Sequence, residues 1–167
     1  MWDPLLNFLK LLNSEQAPHQ LSLGFGFAMI VGFTPTVSLH NLLILFLLLV
    51  LRANISAFLL GWALFSLVGL LLDPLFHQVG QSLLTQSGLQ ELWTSMYNNS
   101  FWRIAQFNNT ILLGSLLISA LAFLPLFFLS NHLIKLYRVR LQERFAQFYQ
   151  RHLKLFKIGQ LASKFSR

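Results

Sequence analysis

Between residues 34 and 41, five polar side chains crowd into an otherwise apolar stretch: Thr34, Thr36, Ser38, His40 and Asn41, with Pro35 among them. Polar groups at membrane depth are costly unless they are paired or line a cavity. Two chemistries fit the cluster. One is a polar site for a lipid headgroup or a proton, centred on His40. The other is repair: the side chains satisfy backbone groups freed where Pro35 breaks a helix. Arg52 lies between two apolar runs. A guanidinium grips phosphate in a bidentate way, and the same residue equally suits an anchor at the cytoplasmic face. Thr34, Pro35, Thr36, Ser38, His40, Asn41 and Arg52 are thus the candidate substrate-binding residues. Asp73, followed by Pro74, closes the next apolar run. There it ends a helix, pairs with a cation or carries a proton.

Other chemistry finds no constellation. No two of His19, His40, His77, His132 and His152 stand four residues apart with a carboxylate, so no zinc or metalloprotease pattern forms. There is no phosphate-binding loop and no Gly-x-Ser-x-Gly, and Gly24-x-Gly26 lacks the strand context of a dinucleotide site. The chain has no cysteine, which removes thiol catalysis, disulfides and cysteine metal ligands. Enzyme activity, a cofactor and a bound metal are therefore not expected.

The elements that must position these residues are helices in lipid. Of 167 residues, 55% are hydrophobic and 10% charged. A soluble domain carries about 25% charged residues, and one of this size cannot hide so much apolar surface. The first residues, with Asp3-Pro4 where a basic region would stand, do not read as a cleaved signal peptide. Trp2, Leu5, Leu6, Leu9 and Leu12 predict a short amphipathic interfacial helix. Residues 21–33 and 37–51 form two apolar arms of roughly 20 Å each, short of a core of about 30 Å. They predict a re-entrant hairpin over 21–51 with its tip at Gly32-Phe33-Thr34-Pro35; the alternative is one long span kinked at Pro35. Charge-free runs at 55–72 and 111–129 predict two full transmembrane helices. Between them, residues 75–95 suggest an interfacial helix interrupted near Ser87-Gly88, and 97–109 an aromatic belt.

Charge sets the orientation. Nine cations and only Glu143 follow Asn131, a net +8, whereas the rest of the chain carries a net −1. No Lys or Arg occurs between Arg52 and Arg103. By the positive-inside rule both termini are expected in the cytoplasm. The reading is an all-α integral membrane protein: a membrane domain over 1–130 and a basic cytoplasmic amphipathic helix over 131–167, ending near Gly159. Lys135, Arg138, Arg140, Arg144, Arg151, Lys154 and Lys157 would meet anionic phospholipid, at about 1 kcal/mol per cation near the surface. Nucleic acid is not an expected partner; a protein partner or a second copy is open.

Gly24-x-Gly26, Gly32-Phe33-Thr34-Pro35, Arg52-Ala53-Asn54 and Asp73-Pro74, in that order, resemble a family of small bacterial membrane proteins known only as a numbered domain of unknown function. The resemblance covers about residues 20–80 and implies the bacterial inner membrane. The family usually has Asn-Pro where this chain has Asp73-Pro74. The hairpin is also similar in architecture to re-entrant elements of a superfamily linked to lipid and undecaprenyl-phosphate movement. Separately, Gly24, Phe33, Pro35 and Asn41 align with Gly114, Phe123, Pro125 and Asn131 at an offset of 90 residues. Chance accounts for this, or an internal repeat of the kind transporters use. The expected function is envelope lipid handling as a transporter, scramblase or lipid-transport subunit. The alternative is a non-catalytic scaffold or anchor subunit of an envelope assembly.

Overall fold

A computed structural model describes residues 17–165, with side chains over 17–140; the helix expected at 2–12 lies outside the described residues. The elements are α1 (Pro18–Phe33), α2 (Leu39–Val50), α3 (Ile55–Thr85), a 3₁₀ turn (Ser87–Leu89), α4 (Gln90–Tyr97), α5 (Ser100–Ile104) and α6 (Thr110–Phe165). There is no strand among the described residues. The chain divides into two compact units after Asn131.

In the first unit α1 is the central helix. It is apolar on every side, and nine of its sixteen residues are buried, as befits a helix wrapped by neighbours. It runs parallel to α3 at close range. A Cβ on Gly24 would lie 2.6 Å from the Asn54 carbonyl, and one on Gly32 would lie 2.7 Å from Phe65 Cβ. Small residues let two backbones approach this way where lipid supplies no hydrophobic drive between helices. α2 returns antiparallel to α1: it begins where Asn41 binds the turn, and beyond its end the Asn54 N–H donates to the Gln20 carbonyl near the start of α1 (3.0 Å). The first part of α6 lies antiparallel to α3, with Gly114 against the Phe76 carbonyl and Gly80 against that of Thr110. Phe123 of α6 packs on Phe27 of α1, ring centroids 5.4 Å apart. Phe27, Ile30, Val31, Ile44, Leu48 and Phe58 form the core.

The outward faces are apolar. Leu42, Phe46, Leu49, Leu70, Leu71, Leu121 and Phe128 are all exposed. Two helical stretches, Ile55–Thr85 and Thr110–Arg140, are long and apolar enough to cross a membrane, and only 22% of the most apolar window of each is buried. The core helix of a soluble protein would be mostly covered.

Three boundaries differ from the sequence expectation. The turn between α1 and α2 spans Thr34–Ser38 instead of starting at Gly32, because Pro35 restricts only the residue before it: Thr34 is extended (φ −93, ψ 154) while Phe33 remains helical. Asp73-Pro74 does not end α3, which continues to Thr85. Beyond Pro74, Phe76 is fully buried against Phe33 and Gly80 meets α6, so packing holds the helix through the missing hydrogen bond. Pro125 and Gly159 likewise lie inside α6, which runs unbroken to Phe165.

Candidate functional site

At the hairpin turn Pro35 removes a donor and forces the chain out of the helix. Side chains take over the freed backbone groups. The Thr34 hydroxyl is shared between the Ile30 carbonyl (2.8 Å) and Asn41 Oδ1 (3.2 Å). Asn41 Nδ2 donates to the carbonyls of Pro35 and Thr36, both at 3.1 Å. The Ser38 hydroxyl donates to the Pro35 carbonyl at 2.8 Å and lies 3.4 Å from His40 Nε2. Thr34 and Asn41 are buried at 4% exposure each. The bonds of Thr34, Ser38 and Asn41 are thus spent within the turn, while Thr36 is exposed and His40 half-buried.

Two hollows flank this turn. The first, about 350 Å³, is lined by Thr34, Pro35 and Thr36, by Ser66, Gly69 and Asp73 of α3, and by Asn109 ahead of α6. Asp73 is half-buried there. Asn109 also caps α6, its Oδ1 accepting from the Leu112 N–H at 3.1 Å. The second, about 620 Å³, is an apolar groove between α2, α5 and α6. Leu39, Leu43 and Phe46 form one wall, Trp102 and Ala105 another, and Leu112 and Leu116 the third, with His40 as the one ionisable lining residue among the described residues.

Arg52 is not part of either hollow. It stands at the far end of α2, a helix of 12 residues and so about 18 Å long. Its side chain is exposed and its φ is +51°, in the left-handed region. The Arg52 N–H donates to the Leu49 carbonyl (3.1 Å) and the Ala53 N–H to that of Leu48 (2.9 Å). This is the Schellman closure of a helix, in which the left-handed position is usually glycine. Asn54 then starts α3, its Oδ1 accepting from the Ala57 N–H at 2.6 Å. The Arg-x-Asn step therefore ends one helix and begins the next.

Of the cations expected at a lipid surface, Lys135 and Arg140 are exposed and Arg138 is half-buried. Arg144, Arg151, Lys154 and Lys157 lie on the same helix with side chains outside the described residues. Sequence reasoning did not gather Ser66, Asp73 and Asn109 with the turn. A signal existed: Asp73 is the only carboxylate between Glu15 and Glu91, and Ser66, Gly69 and Asp73 follow helical spacing. Reading Asp73-Pro74 as a helix end hid it.

Comparison with known proteins agrees with the motif order. The sequence profile of a family described as "Uncharacterized protein conserved in bacteria (DUF2062)" matches residues 6–143, well beyond the hairpin region. An "Uncharacterized protein" of Treponema pallidum (strain Nichols) is 27% identical over 137 residues, covering 82% of this chain and 85% of its own. No solved structure matches.

Proposed function

We propose that this chain, which belongs to the bacterial family DUF2062, is an inner-membrane protein that handles envelope lipid. Four further features of the reading go with it. The helical hairpin α1–α2 is re-entrant, α4 and α5 lie at the outer interface, both termini are cytoplasmic, and the basic part of α6 rests on anionic phospholipid. The observation that carries the proposal is the apolar groove of about 620 Å³ beside a polar helix turn. A lipid presents the same pair of surfaces, an apolar chain and a polar head, and a groove open at the side of the bundle admits it without crossing a closed core.

The test is reconstitution of the purified chain in vesicles carrying fluorescent phospholipids, with leaflet exchange read by quenching from outside. Exchange faster than in empty vesicles is expected. Ala105→Phe, which fills the groove from the α5 side, is expected to slow it, as is His40→Leu. Exchange no faster than in empty vesicles removes the transport reading. What then stands is the scaffold reading, favoured by one observation: the hydrogen bonds of Thr34 and Asn41 close on the turn itself.

A further inference from the structure

The hollow between the hairpin turn and α3 has a sign. Among the described residues that line it Asp73 is the only charged one, and no ion pair with another described residue holds its carboxylate. A second feature adds to the same sign. Gly32 and Phe33, the last two residues of α1, also line the hollow. The final carbonyls of a helix lack intrahelical partners and present the negative end of its dipole. At the start of α6, Asn109 Oδ1 takes up the Leu112 N–H, one of the donors of the opposing positive end. The hollow offers a phosphate hydroxyl and amide donors but, among the described residues, no cation, and the Asp73 carboxylate repels it; a cation meets that carboxylate, the C-terminal end of α1 and the hydroxyl oxygens of Thr36 and Ser66.

Size and height narrow the choice of cation. The hollow holds about 350 Å³, and one water occupies about 30 Å³ of liquid, so a bare ion would leave most of it empty. Asp73 lies eighteen residues beyond Ile55 along α3, or about 27 Å. That is close to the hydrocarbon thickness of about 30 Å. With Arg52 and Ile55 at one face of the bilayer, Asp73 approaches the headgroup level of the other, while the hairpin turn, about 18 Å from Arg52 along α2, lies deeper.

Resting on the lipid-handling reading, we infer that this hollow receives the primary ammonium of a zwitterionic lipid headgroup, held by the Asp73 carboxylate beside the C-terminal end of α1. The substrate class is thus an amine-bearing phospholipid and not an anionic one, and Arg52, at the other end of the hairpin, takes no part in holding the headgroup.

The experiment exposes the full chain, purified in detergent, to equal amounts of phosphatidylethanolamine and phosphatidylglycerol and reads retained lipid by native mass spectrometry. Wild type is expected to retain phosphatidylethanolamine at the hollow, beside any phosphatidylglycerol held by the basic part of α6. Asp73→Asn is expected to weaken that retention about ten- to hundredfold, the effect of losing a hydrogen bond to a charged group. Asp73→Glu keeps the charge and is expected to keep phosphatidylethanolamine retention. Thr36→Lys sets a competing ammonium in the hollow from an exposed position, so the fold is kept while the lipid is displaced; helix content by circular dichroism checks this for every variant. Unchanged phosphatidylethanolamine retention in Asp73→Asn or Thr36→Lys overturns the inference. Retention of phosphatidylglycerol without phosphatidylethanolamine in wild type overturns it too and leaves the lipid-handling reading standing. Retention of neither lipid removes both.

Discussion

The two ends of the helical hairpin solve the same problem by different means. At the turn, Pro35 leaves carbonyls without partners, and Thr34, Ser38 and Asn41 side chains satisfy them. At the base, the backbone closes α2 on itself, with Arg52 in a left-handed conformation and Asn54 capping α3. The turn depends on side-chain chemistry and stands beside a carboxylate. The base depends on backbone shape and carries a guanidinium that makes none of the closing bonds. Polar residues in an apolar run therefore have two separable uses, and a substitution at each end distinguishes them.

The largest effect is expected at the turn. Asn41→Leu, at a buried position, removes the donor to the Thr36 carbonyl and one of the two donors to the Pro35 carbonyl, and leaves the Thr34 hydroxyl only its bond to the Ile30 carbonyl. A cost of up to about 3 kcal/mol is expected, since a polar group left without its partner costs about 1–3 kcal/mol. Thermal unfolding of the detergent-purified protein reads it, and an unshifted midpoint would show that something other than Asn41 holds the turn.

The next effect is at the base, where α1 meets the start of α3. Gly24→Ala sets a methyl 2.6 Å from the Asn54 carbonyl, a backbone atom that cannot swing aside. Overpacking of this kind costs about 1–3 kcal/mol. Gly88→Ala, which meets nothing within 4 Å, is the matched control. Equal stabilities for the two variants would mean that α1 and α3 are not held at this distance.

The smallest effect, of opposite sign, is at Arg52. Arg52→Gly relieves a left-handed residue, which for an L side chain costs about 1–2 kcal/mol, and the added freedom of the unfolded chain offsets part of that. A net change within about 1 kcal/mol, neutral or stabilising, is expected, whereas Arg52→Val should destabilise. The glycine variant also sharpens the comparison, because it deletes the guanidinium without harming the fold. Loss of anionic lipid on purification with stability intact would assign Arg52 a phosphate at the base.

Much of the architecture is written locally. The lengths of the apolar runs determine the helical class. Pro35 determines a break, because a missing N–H and a restricted preceding residue act within one turn of chain whatever lies nearby. The uneven charge determines which end of the chain is basic. What the tertiary structure decided is which local signals prevail. Pro74 carries the same ring as Pro35 and breaks nothing, since Phe76 and Gly80 beyond it are packed against α1 and α6. Asp73, which reads as a terminator, becomes the charge of a hollow only because α3 continues past it and α1 ends opposite. The glycines of α1, only motif positions in the sequence, serve close approach to α3 and α6, a property of two helices at once. Local sterics act over a few bonds and can be read in order; a packed face depends on a partner distant in sequence, and only the fold supplies it.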